Sequence, residues 1–116
     1  MVYERVQATL DRYDLLCTPT TACVGIKNNI GGDTIGPTQI DGVQVEPLIG
    51  WALTSYFNYT GHPAASVPAG LSSDGMPIGM QIVGNRFEDA TVLNASLFVE
   101  NAMPWSSNYQ RLLPML

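Results

Sequence analysis

Hydrolysis by side chains needs a nucleophile and a base to deprotonate it, and this 116-residue sequence holds few bases. Its only histidine is His62 and its only lysine is Lys27. Ser66, Ser72 and Ser73 are the hydroxyls nearest His62 in sequence. None lies in a Gly-x-Ser-x-Gly elbow, the sharp strand-to-helix turn that exposes a nucleophilic serine. Cys17 or Cys23 with His62 makes a formal thiol–imidazole pair, but nothing in the spacing brings the partners together. His62 itself, between Gly61 and Pro63, reads as a turn residue. No His-rich or carboxylate-rich spacing offers a metal site. Asn28-Asn29-Ile30-Gly31-Gly32-Asp33 lacks the Gly-Lys-Ser/Thr ending and the preceding strand of a phosphate loop. The expectation is a chain with no catalytic residues of its own, no metal and no cofactor.

Composition narrows the partners. Five basic residues are scattered through a chain of formal charge -5. That disfavours nucleic acid and anionic membrane, since both are bound by clustered Lys and Arg. No apolar run approaches the roughly 20 residues that cross a bilayer. Met1-Val2-Tyr3-Glu4-Arg5 has no signal-peptide core. The Cys17-x5-Cys23 spacing fits no common metal pattern, and two reduced thiols suit a reducing compartment, read as the cytoplasm.

The elements that must position any site follow from periodicity. Val2, Val6, Leu10 and Tyr13 recur at helical spacing over Met1–Arg12. No capping residue precedes them, which leads us to expect more chain upstream. Asp14–Thr18 reads as a short buried strand that Pro19 ends or places at a sheet edge. Residues 20–46, rich in Gly, Asn, Asp and Thr, read as a long loop with a turn or small hairpin at Ile40-Asp41-Gly42-Val43. Pro47–Tyr59 is apolar on nearly all sides and reads as a buried helix, with Pro47 in its first turn and Gly61 at its end. Ala64–Ala69 and Pro77–Val83 read as strands joined by a hairpin loop at Asp74-Gly75. In the second strand Ile78, Met80 and Ile82 fall on one face. Gly79, Gln81 and Val83 fall on the other, which the glycines leave flat. A helix over Ala90–Ala102, with Asp89 as its candidate N-cap, is stopped by Pro104. The tail from Trp105 reads as a surface segment. The whole is one α/β segment, 1–116.

Two motifs flank that hairpin loop: Asn58-x-x-Gly61-x-Pro63-Ala64-x-Ser66-Val67-Pro68-x-Gly70, then Gly75-x-Pro77-x-Gly79-x-Gln81-x-Val83-Gly84. With the upstream Thr18-Pro19-Thr20 they resemble the C-terminal signature of the amidase signature family. The resemblance implies the C-terminal part of that family's fold, short strands of a mixed sheet covered by helices. It also implies carboxamide hydrolysis in the complete enzyme. There a serine is activated by a second serine on a cis peptide and, behind it, by a lysine kept neutral by burial. Those three groups belong to the family's upstream half. The family's Gly-Gly-Ser-Ser-Gly-Gly block does not occur here, since Gly31-Gly32 is followed by Asp33.

The resemblance further implies that the C-terminal half roofs the substrate pocket. Trp51 and Tyr56 are the candidate lining residues, with plain core packing as the competing reading. Asn58 is expected to brace the Gly61–Pro63 turn. The expected partners are the upstream half of the same amidase, or a second copy, because a lone sheet of three strands leaves an edge unpaired; the complete enzyme would take a small amide. The competing readings are a non-catalytic binding or assembly module, and part of a glutaminyl-tRNA amidotransferase A subunit. The Tyr59-Thr60-Gly61-His62-Pro63 stretch resembles general amidases more than that amidotransferase.

Overall fold

The alternation in Pro77–Gly84 dictates the centre of the molecule. In the computed structural model, which describes residues 1–32 and 35–110, this segment is a strand with a neighbour on each side. The elements in order are α1 (Val2–Leu10), β1 (Leu15–Pro19), β2 (Gln39–Ile40), β3 (Val43–Gln44), α2 (Ser55–Thr60), β4 (Ala64–Leu71), β5 (Pro77–Gly84), α3 (Asp89–Ala102) and α4 (Ser106–Gln110). The main sheet is antiparallel in the order β1-β5-β4. Leu16 and Ala64 both lie opposite Val83, and Thr18 and Ser66 both lie opposite Gln81. Pro19 ends the edge strand β1, where its missing N–H costs no ladder bond.

Each face of β5 is covered differently. The Ile82 face lies under α3. Gly84 makes this close packing possible, since a Cβ there would sit 2.7 Å from Val92 Cγ2. The Val83 face packs on Leu10 of α1 and Phe57 of α2, with Val6 and Leu16 alongside. Turn chemistry closes the hairpins as the residue types demand. Gly75 takes φ 81° in the β4–β5 loop, and Asp41 and Gly42 take φ 52° and 80° between β2 and β3, inside the long loop.

The long buried helix expected over Pro47–Tyr59 does not form. Residues 47–54 are turns interrupted by a bridge at Ala52, and only Ser55–Thr60 is helical. Local competition explains this. The Glu46 carboxylate accepts the N–H groups of Leu48 and Ile49, each at 2.8 Å. Gly50 lets the backbone fold back on Glu46, where a Cβ would meet Glu46 N at 2.6 Å. Trp51 O accepts the N–H of Ala22, and Ala52 bridges to Thr21, tying these turns to the start of the long loop. The segment is not wrapped by protein either: Leu48 is 71% and Tyr59 84% exposed. Helix α3 begins at Asp89 with Glu88 as its N-cap, one residue before the expected cap at Asp89.

The chain exposes more surface than its size warrants. Its accessible area is 8526 Å², against roughly 6,200 Å² for a compact monomer of its mass. Its radius of gyration is 16.1 Å, against roughly 13 Å expected for 116 residues. Among the described residues only Leu10, Phe57, Ile82, Val83 and Val92 are buried hydrophobics.

Candidate functional site

The period-2 alternation that buries Val83 also places polar groups on the same sheet face. Gln81 is only 2% exposed, and its Nε2 donates to Thr18 Oγ1 at 3.1 Å across the strand pair. The hydroxyls of Thr20 and Ser66 lie 2.7 Å apart. They sit over Gly79: a Cβ there would come within 2.7 Å of Thr20 Oγ1 and 3.1 Å of Ser66 Oγ. The flat face expected from the glycines is therefore occupied at Gly79 by a hydroxyl pair. Next to this pair opens a cavity of about 260 Å³, bordered by Thr54, Phe57, Asn58, His62, Ser66 and Gln81.

His62 is the deepest titratable group of this region, at 5% exposure. Gly61, in the left-handed conformation at φ 69°, ends α2 and turns the chain so that the ring points inward. His62 Nε2 lies 3.2 Å from Gln7 Oε1, and Gln7 Nε2 donates to Asn85 Oδ1 and Asp11 Oδ1. An amide oxygen only accepts, so the imidazole proton resides on Nε2. Nδ1 is left buried with no hydrogen-bond partner. The ring lies against Tyr3, centroids 5.4 Å apart. Burial, and secondly the positive charge of Arg86, hold the imidazole below its ordinary pKa. Both effects favour the neutral ring.

Among the described residues this geometry assembles no nucleophile–base pair. His62 is engaged by Gln7 and Ser66 by Thr20. Cys17 and Cys23 are free thiols, and Cys17, opposite Ile82, alternates to the face away from Gln81. Lys27 is exposed in the long loop. Among the described residues no three His, Cys, Asp or Glu cluster as metal ligands.

The two expected pocket residues sit apart from the cavity. Trp51 is half-buried; its Nε1 donates to Pro47 O at 3.1 Å, and Gly36 is packed on its ring edge. Tyr56 is 50% exposed on α2. Asn58 borders the cavity and does not brace the turn, which is closed instead by the Gly61 N–H on Phe57 O at 2.9 Å. The His62–Gln7 contact lies beyond the sequence reading. Its signal was available in Tyr3, Gln7 and Leu10, which recur at i, i+4 and i+7 on the inner side of α1.

A second cavity, about 660 Å³ and mostly apolar, lies between the tip of the β4–β5 hairpin and residues 103–109. Trp105 and Tyr109, packed edge to face at 4.8 Å, form one of its walls.

Comparison with known proteins joins these features. A family model described as Amidase matches residues 1–93. An acylamidase of Rhodococcus erythropolis is 33% identical over 98 residues, 84% of this chain and 20% of that protein. The crystal structure of a bacterial aryl acylamidase of the amidase signature enzymes superposes with a TM-score of 0.90 at 49% identity, over 94% of this chain and 22% of that one. The glutamyl-tRNA(Gln) amidotransferase A subunit of Thermotoga maritima superposes with a TM-score of 0.61 at 28% identity, over 91% of this chain and 21% of that one. The chain thus spans about a fifth of the length of the relatives it matches. With the match over residues 1–93 and this structural likeness, the α/β chain belongs to the amidase signature family.

Proposed function

We propose that this chain is the C-terminal portion of an amidohydrolase that cleaves carboxamides, and that it supplies a wall of the site and none of the reacting groups. The observation that carries this reading is the mismatch between surface and size: about 2,300 Å² more than a compact monomer exposes. One partner gives up an area of that order in a large permanent interface. A polypeptide carrying the missing four-fifths of the relatives' length would cover it. In that assembly the catalytic serine, its serine relay and the neutral lysine come from the upstream part. Their oxyanion would be held by backbone N–H groups of the same part.

The test is reconstitution. This chain alone releases no ammonia from simple amides, and neither does an upstream polypeptide alone; the two mixed do. Turnover by this chain alone, lost on substitution of Lys27, His62 or a cysteine, would overturn the proposal. Tight small-molecule binding by this chain alone, with no gain on mixing, would favour a non-catalytic module. The higher TM-score and identity to the aryl acylamidase favour a general amidase over the amidotransferase. The substrate by this reading is a small amide.

Trp51 and Tyr56 remain the side chains offered to the acyl or amine pocket of the assembled enzyme. Tyr56→Ala is expected to raise KM about tenfold, the effect of losing one aromatic contact of roughly 1.4 kcal/mol. Association of the two pieces, followed by titration, stays unchanged. An unaltered KM would leave Tyr56 as surface. No helix among the described residues is long and apolar enough to cross a membrane. The free thiols support the cytoplasm as the compartment.

A further inference from the structure

We propose that Gln7 and His62 form an acid-releasable latch between α1 and the sheet. Three elements meet at one amide. Gln7 Oε1 on α1 accepts the His62 Nε2 proton at 3.2 Å, from the turn between α2 and β4. Gln7 Nε2 donates to Asn85 Oδ1 at 2.9 Å, just past β5. Asn85 Nδ2 completes the loop by donating to Leu10 O at 3.1 Å. Together with the apolar contacts of Leu10 and Val6 and the Tyr3 ring on His62, this polar loop fastens α1.

The groups around the imidazole decide how it responds to a proton. From α1, Tyr3 presents its ring and Asp11 is held on the amine side of Gln7, away from the imidazole. From the turn after β5, Arg86 adds positive charge; its guanidinium reaches the neighbourhood of Gly61, where a Cβ would lie 3.9 Å from Nη2. Burial first, and Arg86 second, favour the neutral ring. Among the described residues the one ion pair joins the Met1 amino group to Glu4, so no carboxylate pairs with the ring.

A proton taken from solvent lands on Nδ1, a buried atom with no acceptor nearby. The result is an unsatisfied N–H and a second positive charge beside Arg86. The ring escapes both by moving out to water, which breaks its bond to Gln7 and frees the first turns of α1. The sign follows from linkage. The folded ring binds its proton less readily than the unfolded one, so acid favours the open form. The latch is closed above the ordinary histidine pKa of about 6.5 and weakens as pH falls below it.

The experiment is amide hydrogen exchange on the 116-residue chain at pH 7.5 and pH 5.0, read as protection relative to intrinsic rates. Protection over residues 3–10 is expected to fall about tenfold in acid, while that of β5 is retained. His62→Gln, which still donates to Gln7 but does not titrate, is expected to remove the pH dependence. Because His62 is the only histidine, its ring NMR signal also reports directly, without any variant. The proposal requires its titration midpoint to coincide with the loss of α1 protection. Equal acid sensitivity in wild type and His62→Gln overturns the latch. So does protection of α1 that is unchanged across the His62 titration.

Discussion

Val83→Asp is expected to abolish the folded state of the chain. Val83 has no exposed surface, lies opposite Leu16 and Ala64 in the ladder, and packs on Leu10 and Phe57. A carboxylate there has no cation to pair with, since Leu10 and Phe57 fill the site. An uncompensated buried charge costs roughly 3–5 kcal/mol, and the lost valine contacts add about 1–2 kcal/mol. A domain of this size is stable by only about 5–15 kcal/mol. With so few buried hydrophobics the chain belongs at the low end of that range. Far-UV circular dichroism and a urea titration give the check: the variant shows no cooperative transition, while Val43→Asp, at a position 64% exposed on β3, stays within about 0.5 kcal/mol of wild type. A wild-type midpoint for Val83→Asp would mean that β5 is not the centre of the sheet.

What the sequence disclosed follows the range of the forces involved. Strand β5 was legible because the pleat alone sends alternate side chains to opposite faces, although its burial rises along the strand and Gln81 to Gly84 are all buried. The Asp74-Gly75 and Asp41-Gly42 turns were legible because positive φ is a property of single residues. The Pro47–Tyr59 segment misleads because its composition is that of a buried helix while its conformation is set by partners outside it. Glu46 intercepts the N–H groups of Leu48 and Ile49, and Thr21 and Ala22 hold Ala52 and Trp51. Its apolar character nonetheless fits the proposed assembly, in which Leu48, Ile49 and Tyr59 would acquire cover.

The polar part of the site shows the same division. That Gln81 shares a face with Val83 follows from counting residues. That its amide meets Thr18, and that the Thr20–Ser66 hydroxyl pair occupies the gap over Gly79, depends on the register of the remote strand β1 against the β4–β5 hairpin. His62 is a turn residue by backbone position, as its neighbours Gly61 and Pro63 imply. Its side chain is buried because Gln7, 55 positions earlier, accepts its proton.

Leu97→Glu with Phe98→Glu is expected to abolish reconstitution of amidase activity while making the isolated chain better behaved. Helix α3 carries apolar residues around most of its circumference. Val92 faces the sheet at 3% exposure, but Leu93, Leu97 and Phe98 are 66%, 54% and 74% exposed. A helix of that profile belongs inside a larger body, and the excess surface of the chain says the same. Covering each of these side chains contributes about 1.5–3 kcal/mol; forcing a carboxylate into the same contact reverses that gain and adds desolvation. Two such changes amount to at least about 4 kcal/mol, or about a thousandfold in the affinity of the two pieces. The substitutions lie on the outer surface of α3, so the sheet, its hydroxyl pair and the His62 region stay intact by circular dichroism. Size-exclusion chromatography with light scattering then shows the double variant shifted toward monomer, and titration against the upstream polypeptide shows no recovery of ammonia release at concentrations that saturate wild type. Full recovery by the double variant would mean that α3 stays exposed in the assembled enzyme and that the missing polypeptide covers a different face. The free edge of β1 and the turns over Pro47–Thr54 would then be the surfaces to charge next.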